Sequence, residues 1–307
     1  MCCILALLIS ACTEVAPGEN TNSSDDDFGV LISESSLGGE SVIDGAGYYN
    51  SSVSFRISWK KENLTVREAP ASREFELNGE NYILDYIGSY GCGESIESAV
   101  SGISGADYRF ADCYGNGDGN VTVCYLSGTD SVCKLSHSLV SEAEIGELLE
   151  NGEIISKEEA KAFAASFITK NVPDVNISDY NCEILREPAD DGIQNYYSIR
   201  YYKTILGYRT DDIMLVGVNP NGTIRSFLGS KVGISQSVEI TEAEIENAFN
   251  AIAEKVNAKA ELEEQADKRV ICMAIDGKVF ARTCYTGVAS EKELFAATSE
   301  NFYIRIK

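Results

Sequence analysis

The amino-acid sequence predicts an α+β fold: a mostly antiparallel β domain followed by two units, each made of a helix and an antiparallel sheet. Two observations predict this class. From about residue 51 to 140, apolar residues alternate with a period of two in short runs separated by turn residues. After residue 141 the period becomes 3.6, and a helix start of the form Ile-Ser/Thr-x-x-Glu occurs at Ile155 and again at Ile240, each time before further strands.

The composition sets bounds on function. The chain has 307 residues, 48 acidic and 25 basic, with a formal net charge of −23. With 44% hydrophobic residues it can bury a sizeable core. So acidic a chain is a poor match to nucleic acid, whose phosphates need clustered lysine and arginine. The single histidine, His137, excludes a metal site built from several histidines, and we expect no cofactor.

The first twelve residues have the layout of an export signal. The apolar run Ile4–Ile9 is too short to span a membrane and is followed by Ser10, Ala11 and Cys12. This arrangement resembles the lipobox of bacterial lipoproteins, although no basic residue precedes it. The resemblance implies a signal peptide over residues 1–11, cleavage before Cys12, and a lipid on the Cys12 sulfur. The alternative is a buried N-terminal strand or helix.

Residues 12–50 are predicted to be an acidic, flexible tether. The segment contains many acidic residues, no lysine or arginine, and much glycine, serine and asparagine. Because like charges repel and few apolar groups are available for burial, we expect this segment to be extended and mobile.

Residues 51–140 are predicted to form the β domain. Phe75–Tyr86 is typical of a hairpin that turns at Asn78-Gly79, because Asn-Gly supplies the positive φ angles of a type I′ turn. The glycine-rich segment 88–106 is predicted to be a long loop. The other predicted strands are Ser51–Trp59, Tyr108–Cys113, Val121–Leu126 and Val132–Leu135.

Residues 141–235 and 236–307 are predicted to form the two helix-plus-sheet units. Capping boxes at Ser141, Ser156 and Thr241 each place a glutamate three residues later, and Ser290 with Glu293 is a further candidate. The apolar faces of the second and third helices are Ala160, Phe163, Ala164, Phe167 and Ile168, and Ile245, Ala248, Phe249, Ile252 and Val256. The predicted strands are Tyr180–Leu185, Tyr196–Lys203, Ile213–Val218, Thr223–Leu228, Arg269–Ile275, Lys278–Tyr285 and Phe302–Ile306.

Four segments of the first unit resemble PepSY-type modules, namely Ser156–Ala160, Tyr201–Tyr208, Asp211–Val218 and Asn219–Phe227. Such modules occur in the propeptides of thermolysin-like proteases and in secreted Firmicutes lipoproteins. The segment from Thr241 to Ile306 is similar to a second, truncated copy. The resemblance implies a cystatin-like fold, a helix on a curved antiparallel sheet, and a role in peptidase inhibition or chaperoning. It supplies no catalytic residue.

Three cysteines are predicted to lie in a row. If the first hairpin turns on Asp118-Gly119, Cys113 faces Cys124; if the next turns on Gly128-Thr129, Cys124 faces Cys133. Disulfides, a row of buried thiols and a thiolate metal site all remain open. Only one bond can use Cys124, so the remaining thiol would pair elsewhere, with Cys92 the nearest candidate. About a turn at Asp276-Gly277, Cys272 would face Ala281 and Cys284 would face Arg269, so these two cysteines are not expected to bond to each other.

Other candidate residues have simpler explanations. His137 is expected to be a surface or turn histidine. Asn116, Asp118 and Asn120 have the spacing of calcium ligands, but the glycine and the glutamate of a complete calcium loop are missing, which favours a hairpin turn. The tyrosines at 196, 197, 201 and 202 fit a core strand or, as the alternative, a binding platform for sugar or peptide.

These observations favour a non-catalytic protein anchored by Cys12 to the extracellular face of a bacterial membrane. Its PepSY-like modules would bind a peptide or protein partner and could regulate or inhibit a peptidase. One alternative is a spacer that displays the β domain. Another is a hydrolase based on paired carboxylates, which no motif locates.

Overall fold

The structure is a computed structural model. It describes residues 32–33, 67–92, 109–138, 140, 142–152, 154–188, 195–229, 239–257, 263–273, 279–288 and 297–307. Signal-peptide residues 1–11, Cys12, the predicted strand Ser51–Trp59, the Asp276-Gly277 turn and the predicted Ser290–Glu293 helix start lie outside the described residues.

The described residues form thirteen strands, three α-helices and a short 3-10 helix at Ile177–Asp179. The strands are β1 Ile32–Ser33, β2 Ser72–Leu77, β3 Glu80–Cys92, β4 Arg109–Gly115, β5 Val121–Leu126, β6 Val132–His137, β7 Asn181–Arg186, β8 Tyr197–Ile205, β9 Tyr208–Val218, β10 Ile224–Gly229, β11 Glu263–Met273, β12 Val279–Val288 and β13 Ala297–Arg305. The helices are α1 Glu142–Asn151, α2 Lys157–Asn171 and α3 Glu242–Asn257.

Tight turns define two hairpins. The predicted Asn78-Gly79 turn between β2 and β3 is confirmed, with φ angles of 55° and 84°. A second turn, at Leu206-Gly207, has φ angles of 50° and 86° and joins β8 to β9. The sequence did not predict this hairpin, because leucine rarely adopts a positive φ. The predicted loop at 88–106 is wrong over 88–92, where β3 continues.

The predicted fold class is wrong, because all thirteen strands belong to one mixed sheet. The expectation was an N-terminal β domain followed by two separate cystatin-like units. Instead, β10 pairs with β6 of the N-terminal strands, and β11 runs parallel to β9. The strand order is β1-β13-β12-β11-β9-β10-β6-β5-β4-β3-β2, with β8 and β7 branching from the other edge of β9.

Strand β9 is where the parts of the sheet meet. One edge pairs with β8 along the whole strand. The other edge is shared: Arg209 and Thr210 pair with β11, whereas the stretch Met214–Val218 pairs with β10. No local sequence pattern specifies such shared pairing between distant segments, which is why the sequence predicted separate sheets.

Helices α2 and α3 lie on the same face of the sheet. Strand side chains alternate between faces, so Tyr208 and Met214 of β9 point to the same side. Met214 belongs to the buried cluster that includes α2, whereas the Tyr208 ring stacks on Phe249 of α3 at 5.6 Å. Helices α2 and α3 thus form one layer, with α2 over one hydrophobic cluster and α3 over the other.

Capping explains where α2 and α3 begin. The Ser156 hydroxyl accepts from the Glu159 backbone N–H, and the Glu159 carboxylate accepts from the Ser156 backbone N–H at 2.8 Å. Thr241 and Glu244 form the same pair of bonds. The predicted apolar face of α3 is buried in full. That of α2 is buried except for Phe163, which is 46% exposed and lies over the turn at Gly222.

Candidate functional site

The outer edge of β13 is the candidate site. Strand β13 pairs with β12 along its whole length, from Ala297 opposite Val288 to Arg305 opposite Phe280. On the other side, the only described pairing is with β1, at Phe302 and Tyr303. The pairing with β1 thus covers two of the nine residues of β13. An edge of this kind offers main-chain N–H and C=O groups to an added strand.

The side chains of β13 hold its edge in place from both faces. Phe302 and Ile304 belong to the cluster under α3, and the Phe302 ring contacts Tyr285 edge-on at 5.7 Å. Tyr303 points to the opposite face and is 1% exposed. Packing on both faces thus supports the extended conformation of β13 at Phe302–Ile304.

Strand β1 comes from the predicted tether. Ile32 pairs with Tyr303, and Ser33 pairs with Phe302, in antiparallel orientation. Ile32, the first residue of β1, is also the last residue of an apolar run in an otherwise polar and acidic region. The run reads Phe28-Gly29-Val30-Leu31-Ile32. The tether prediction did not include this contact with the body, although the apolar run was the signal that could have indicated it.

A buried polar cluster fixes the strands next to this edge. Arg282 of β12 lies beside Tyr303, Asp211 and Cys272. Burial acts to lower the pKa of Arg282, but the fields of Cys272, Tyr303 and Asp211 favour the charged guanidinium and leave that pKa above its ordinary value. The Met273 backbone N–H donates to Asp211 Oδ1 at 3.2 Å, which ties β11 to β9.

Two consecutive acids of β9, Asp211 and Asp212, are buried, and the sequence did not predict their burial. Asp212 accepts from the Tyr180 hydroxyl at 2.9 Å and forms an ion pair with Lys203 at 3.1 Å. Burial and the Asp212 carboxylate raise the pKa of Tyr180. Two consecutive acids inside an apolar strand were the signal, because such residues are buried only with partners.

The cysteine row is confirmed in part. Cys113 lies directly opposite Cys124, as predicted, with their sulfurs 3.5 Å apart. The predicted pairing of Cys124 with Cys133 is wrong by one residue, because a β-bulge in β6 places Lys134 opposite Cys124. Cys133 remains close, since its thiol donates to the Cys124 carbonyl oxygen at 3.4 Å. All three side chains are buried.

The other predicted thiol pairings are settled only in part. Cys92 is the last residue of β3 and faces Arg109 in the ladder, but its side chain lies outside the described part of the structure. Its pairing stays a prediction. Cys272 faces Phe280 rather than Ala281, and Cys284 faces Gln265 rather than Arg269. The register differs from that predicted by one residue at Cys272 and by four at Cys284, because a β-bulge lies between Gln265 and Val270, and the two cysteines do not bond to each other.

His137 is buried, so the expectation of a surface histidine is wrong. It ends β6, where Nδ1 lies 3.1 Å from the carbonyl oxygen of Ile224 on β10. A carbonyl only accepts, so Nδ1 carries the hydrogen. Burial lowers the pKa of His137, partly offset by the Ile224 carbonyl and the Glu80 carboxylate. Among the described hydrogen bonds, none joins His137 to a serine or a cysteine.

The predicted calcium spacing forms a hairpin turn. The Asn116 amide oxygen accepts from the Val121 backbone N–H at 3.0 Å, and the Asn116 carbonyl accepts from the Gly119 N–H at 2.9 Å. The Asn116 oxygens are thus committed to the turn that also contains Asp118 and Asn120. Within the described ranges, no cluster of three or more His, Cys, Asp or Glu side chains is arranged to hold a metal ion.

The tyrosine-rich strand is divided between the two faces of the sheet. Tyr197 and Tyr201 are buried under α2, where their hydroxyls donate to the carbonyls of Ile155 and Lys161. Tyr202 points to the other face, with the Arg209 guanidinium 4.8 Å from its ring centroid. The four tyrosines therefore do not form one binding platform.

Comparison with known proteins does not assign the chain to a family. No protein-family model matches it, and no match is found among curated proteins or solved structures. The resemblance to PepSY modules therefore stays a prediction from the sequence.

Proposed function

We propose that this is a non-catalytic surface protein, anchored to a bacterial membrane by a lipid on Cys12, that binds an extended segment of a peptide or protein partner along β13. The position of Cys12 after a short apolar run and small residues supports the anchor. Among the described helices, none has the length and apolar character needed to cross a bilayer.

The observation that carries the proposal is the pairing of β1 with β13. A two-residue strand occupies the edge of a nine-residue strand. This pairing supports an edge that takes up an extended segment, and β1 covers two of the nine residues of β13. Added strands of this kind gain affinity from main-chain hydrogen bonds and specificity from alternate side chains.

The acidity of the chain bears on the choice of partner. A formal net charge of −23 produces a negative field that attracts basic segments and repels acidic ones. We therefore expect the partner segment to be flanked by lysine or arginine. Because it would add as a strand, we also expect it to alternate apolar and polar residues. Its association rate should fall as salt is added.

Hydrogen exchange on the full chain tests the proposal. Ile32→Pro removes a main-chain donor from β1 and disfavours its pairing, so whichever of the Phe302 and Tyr303 amides faces β1 should exchange faster, whereas the other faces β12 and should not change. A synthetic peptide with the sequence of residues 28–33, extended by two lysines at each end, then stands in for the partner. Added to this variant, it should slow exchange within 297–305.

The matched controls are a variant and a peptide. Ile32→Val keeps a strand-forming residue and should leave exchange at β13 as in the parent chain. A peptide with proline at the Ile32 position should not protect β13. If the unmodified peptide leaves exchange unchanged while circular dichroism shows the Ile32→Pro variant folded, the edge does not accept extended segments and the proposal fails.

A further inference from the structure

The hairpin of β4 and β5 sets two cysteines in the geometry of a cross-strand disulfide. The Asn116 backbone N–H donates to the Val121 carbonyl, which makes these two residues a hydrogen-bonded pair. Antiparallel pairs alternate between hydrogen-bonded and non-hydrogen-bonded, so Cys113 and Cys124, three positions further along, form a non-hydrogen-bonded pair.

Such pairs bring side chains closest together. Their Cα atoms lie about 4.5 Å apart, inside the range that a disulfide spans. The two sulfurs are already 3.5 Å apart, so only side-chain rotation is needed to bring them to bonding distance. Both cysteines are 0% exposed, and the surrounding strands hold this register.

Cys133 is the third thiol of the cluster but has a different geometry. It is the extra residue of the β6 bulge, so Lys134, not Cys133, lies opposite Cys124. Its thiol points to the main-chain oxygen of Cys124 at 3.4 Å. The bulge therefore favours a bond from Cys124 to Cys113 over a bond from Cys124 to Cys133.

We propose that Cys113 and Cys124 form a disulfide, and that the bond is made before the sheet closes over them. The step is exchange with a small disulfide oxidant such as oxidised glutathione. One cysteine thiolate attacks the oxidant and releases one thiol; the second displaces the other thiol from the mixed disulfide. Two electrons pass to the oxidant, and each protein thiol loses one proton.

The order of events follows from burial. Thiol exchange requires a thiolate and access to the oxidant. In the folded protein, burial and the neighbouring thiols raise the pKa of Cys124, and solvent does not reach either sulfur. Oxidation thus belongs to the unfolded or partly folded chain, the stage at which an exported protein first meets an oxidising environment.

Peptide mapping of the full chain tests the bond. The unfolded, reduced protein is refolded with mixed reduced and oxidised glutathione, alkylated and digested without reductant. We expect a peptide pair linked between Cys113 and Cys124, two hydrogen atoms lighter than the reduced pair. The link should persist in Cys133→Ser and vanish in Cys124→Ser. A link between Cys124 and Cys133, or alkylation of both Cys113 and Cys124, would overturn the proposal.

A second arm tests the timing. Protein folded in reductant and then exposed to oxidised glutathione should keep Cys113 and Cys124 reduced until urea is added. The exposed Cys182 should form a mixed disulfide in the same sample, which shows that the oxidant is active. Cross-linking at the same rate with and without urea would overturn the proposed order.

Discussion

At the scale of single residues, the side chain of His137 shows how burial sets charge. Its ring lies between β6 and β10, donates through Nδ1 to the Ile224 carbonyl and contacts the Tyr82 ring edge-on at 6.5 Å. The same carbonyl accepts from the Asn78 side chain at 3.2 Å. A proton on Nε2 would place a charge inside this packed region, so the neutral imidazole is favoured.

We predict that stability falls as the pH drops below the ordinary histidine pKa. Burial lowers the pKa of His137 in the folded state. Between that pKa and about 6.5, the unfolded chain therefore binds more protons than the folded protein does. The free energy of unfolding should fall by at most about 1.4 kcal/mol per pH unit in this range. Urea unfolding of the parent chain at pH 7.5 and at pH 5.5 measures it.

His137→Asn is the control for this pH effect. Asparagine can donate to the Ile224 carbonyl but does not titrate. Because His137 is the single histidine of the chain, the variant should lose the pH dependence in this window. An equal slope in both proteins would show that another group is responsible.

At the scale of elements, local chemistry places the helices well. The capping boxes at Ser156 and Thr241 were visible in the sequence, and α2 and α3 begin there. The hairpin at Asn78-Gly79 was equally visible. The N-terminal half of β9 was missed, because its turn at Leu206-Gly207 has only one residue that favours positive φ. Local signals thus define elements where the turn or cap residue is chemically specific.

We predict that Ser156→Ala lowers the free energy of unfolding by about 1 kcal/mol. The change removes the acceptor for the Glu159 N–H and frees the first turn of α2. Chemical denaturation followed by circular dichroism gives the value. Ser178→Ala is the matched control, since the exposed Ser178 hydroxyl bonds only locally to Asn176, and it should change stability by less than about 0.5 kcal/mol. Equal losses would contradict the capping argument.

At the scale of the whole molecule, the sheet joins segments that are far apart in sequence. The pairings of β10 with β6, β11 with β9, and β1 with β13 made the fold class unpredictable. Each depends on packing and shape rather than on a residue pattern inside the strand. The same holds for the candidate site: the sequence showed an apolar run ending at Ile32, but not the edge that receives it.

We predict that the described sheet unfolds as one unit. Phe227 lies in the cluster under α2 and Phe249 in the cluster under α3, and both are buried. Replacement of either by alanine should cost about 3–5 kcal/mol. Because β9 serves both clusters, each variant should shift one common transition in calorimetry. Two transitions, each moved by only one variant, would support independent units at the predicted boundary near residue 236.

The pairing of β1 with β13 also sets how far the body can stand from a bilayer. With a lipid on Cys12, the connecting chain would be about 40 residues long if the body began at residue 51, and its maximum span would be ~130 Å. Docking at Ile32 leaves about 20 residues, with a maximum span of ~70 Å. Under the proposed anchor, two ladder residues would thus halve the greatest height of the protein above the membrane, and release of β1 by a partner would restore it.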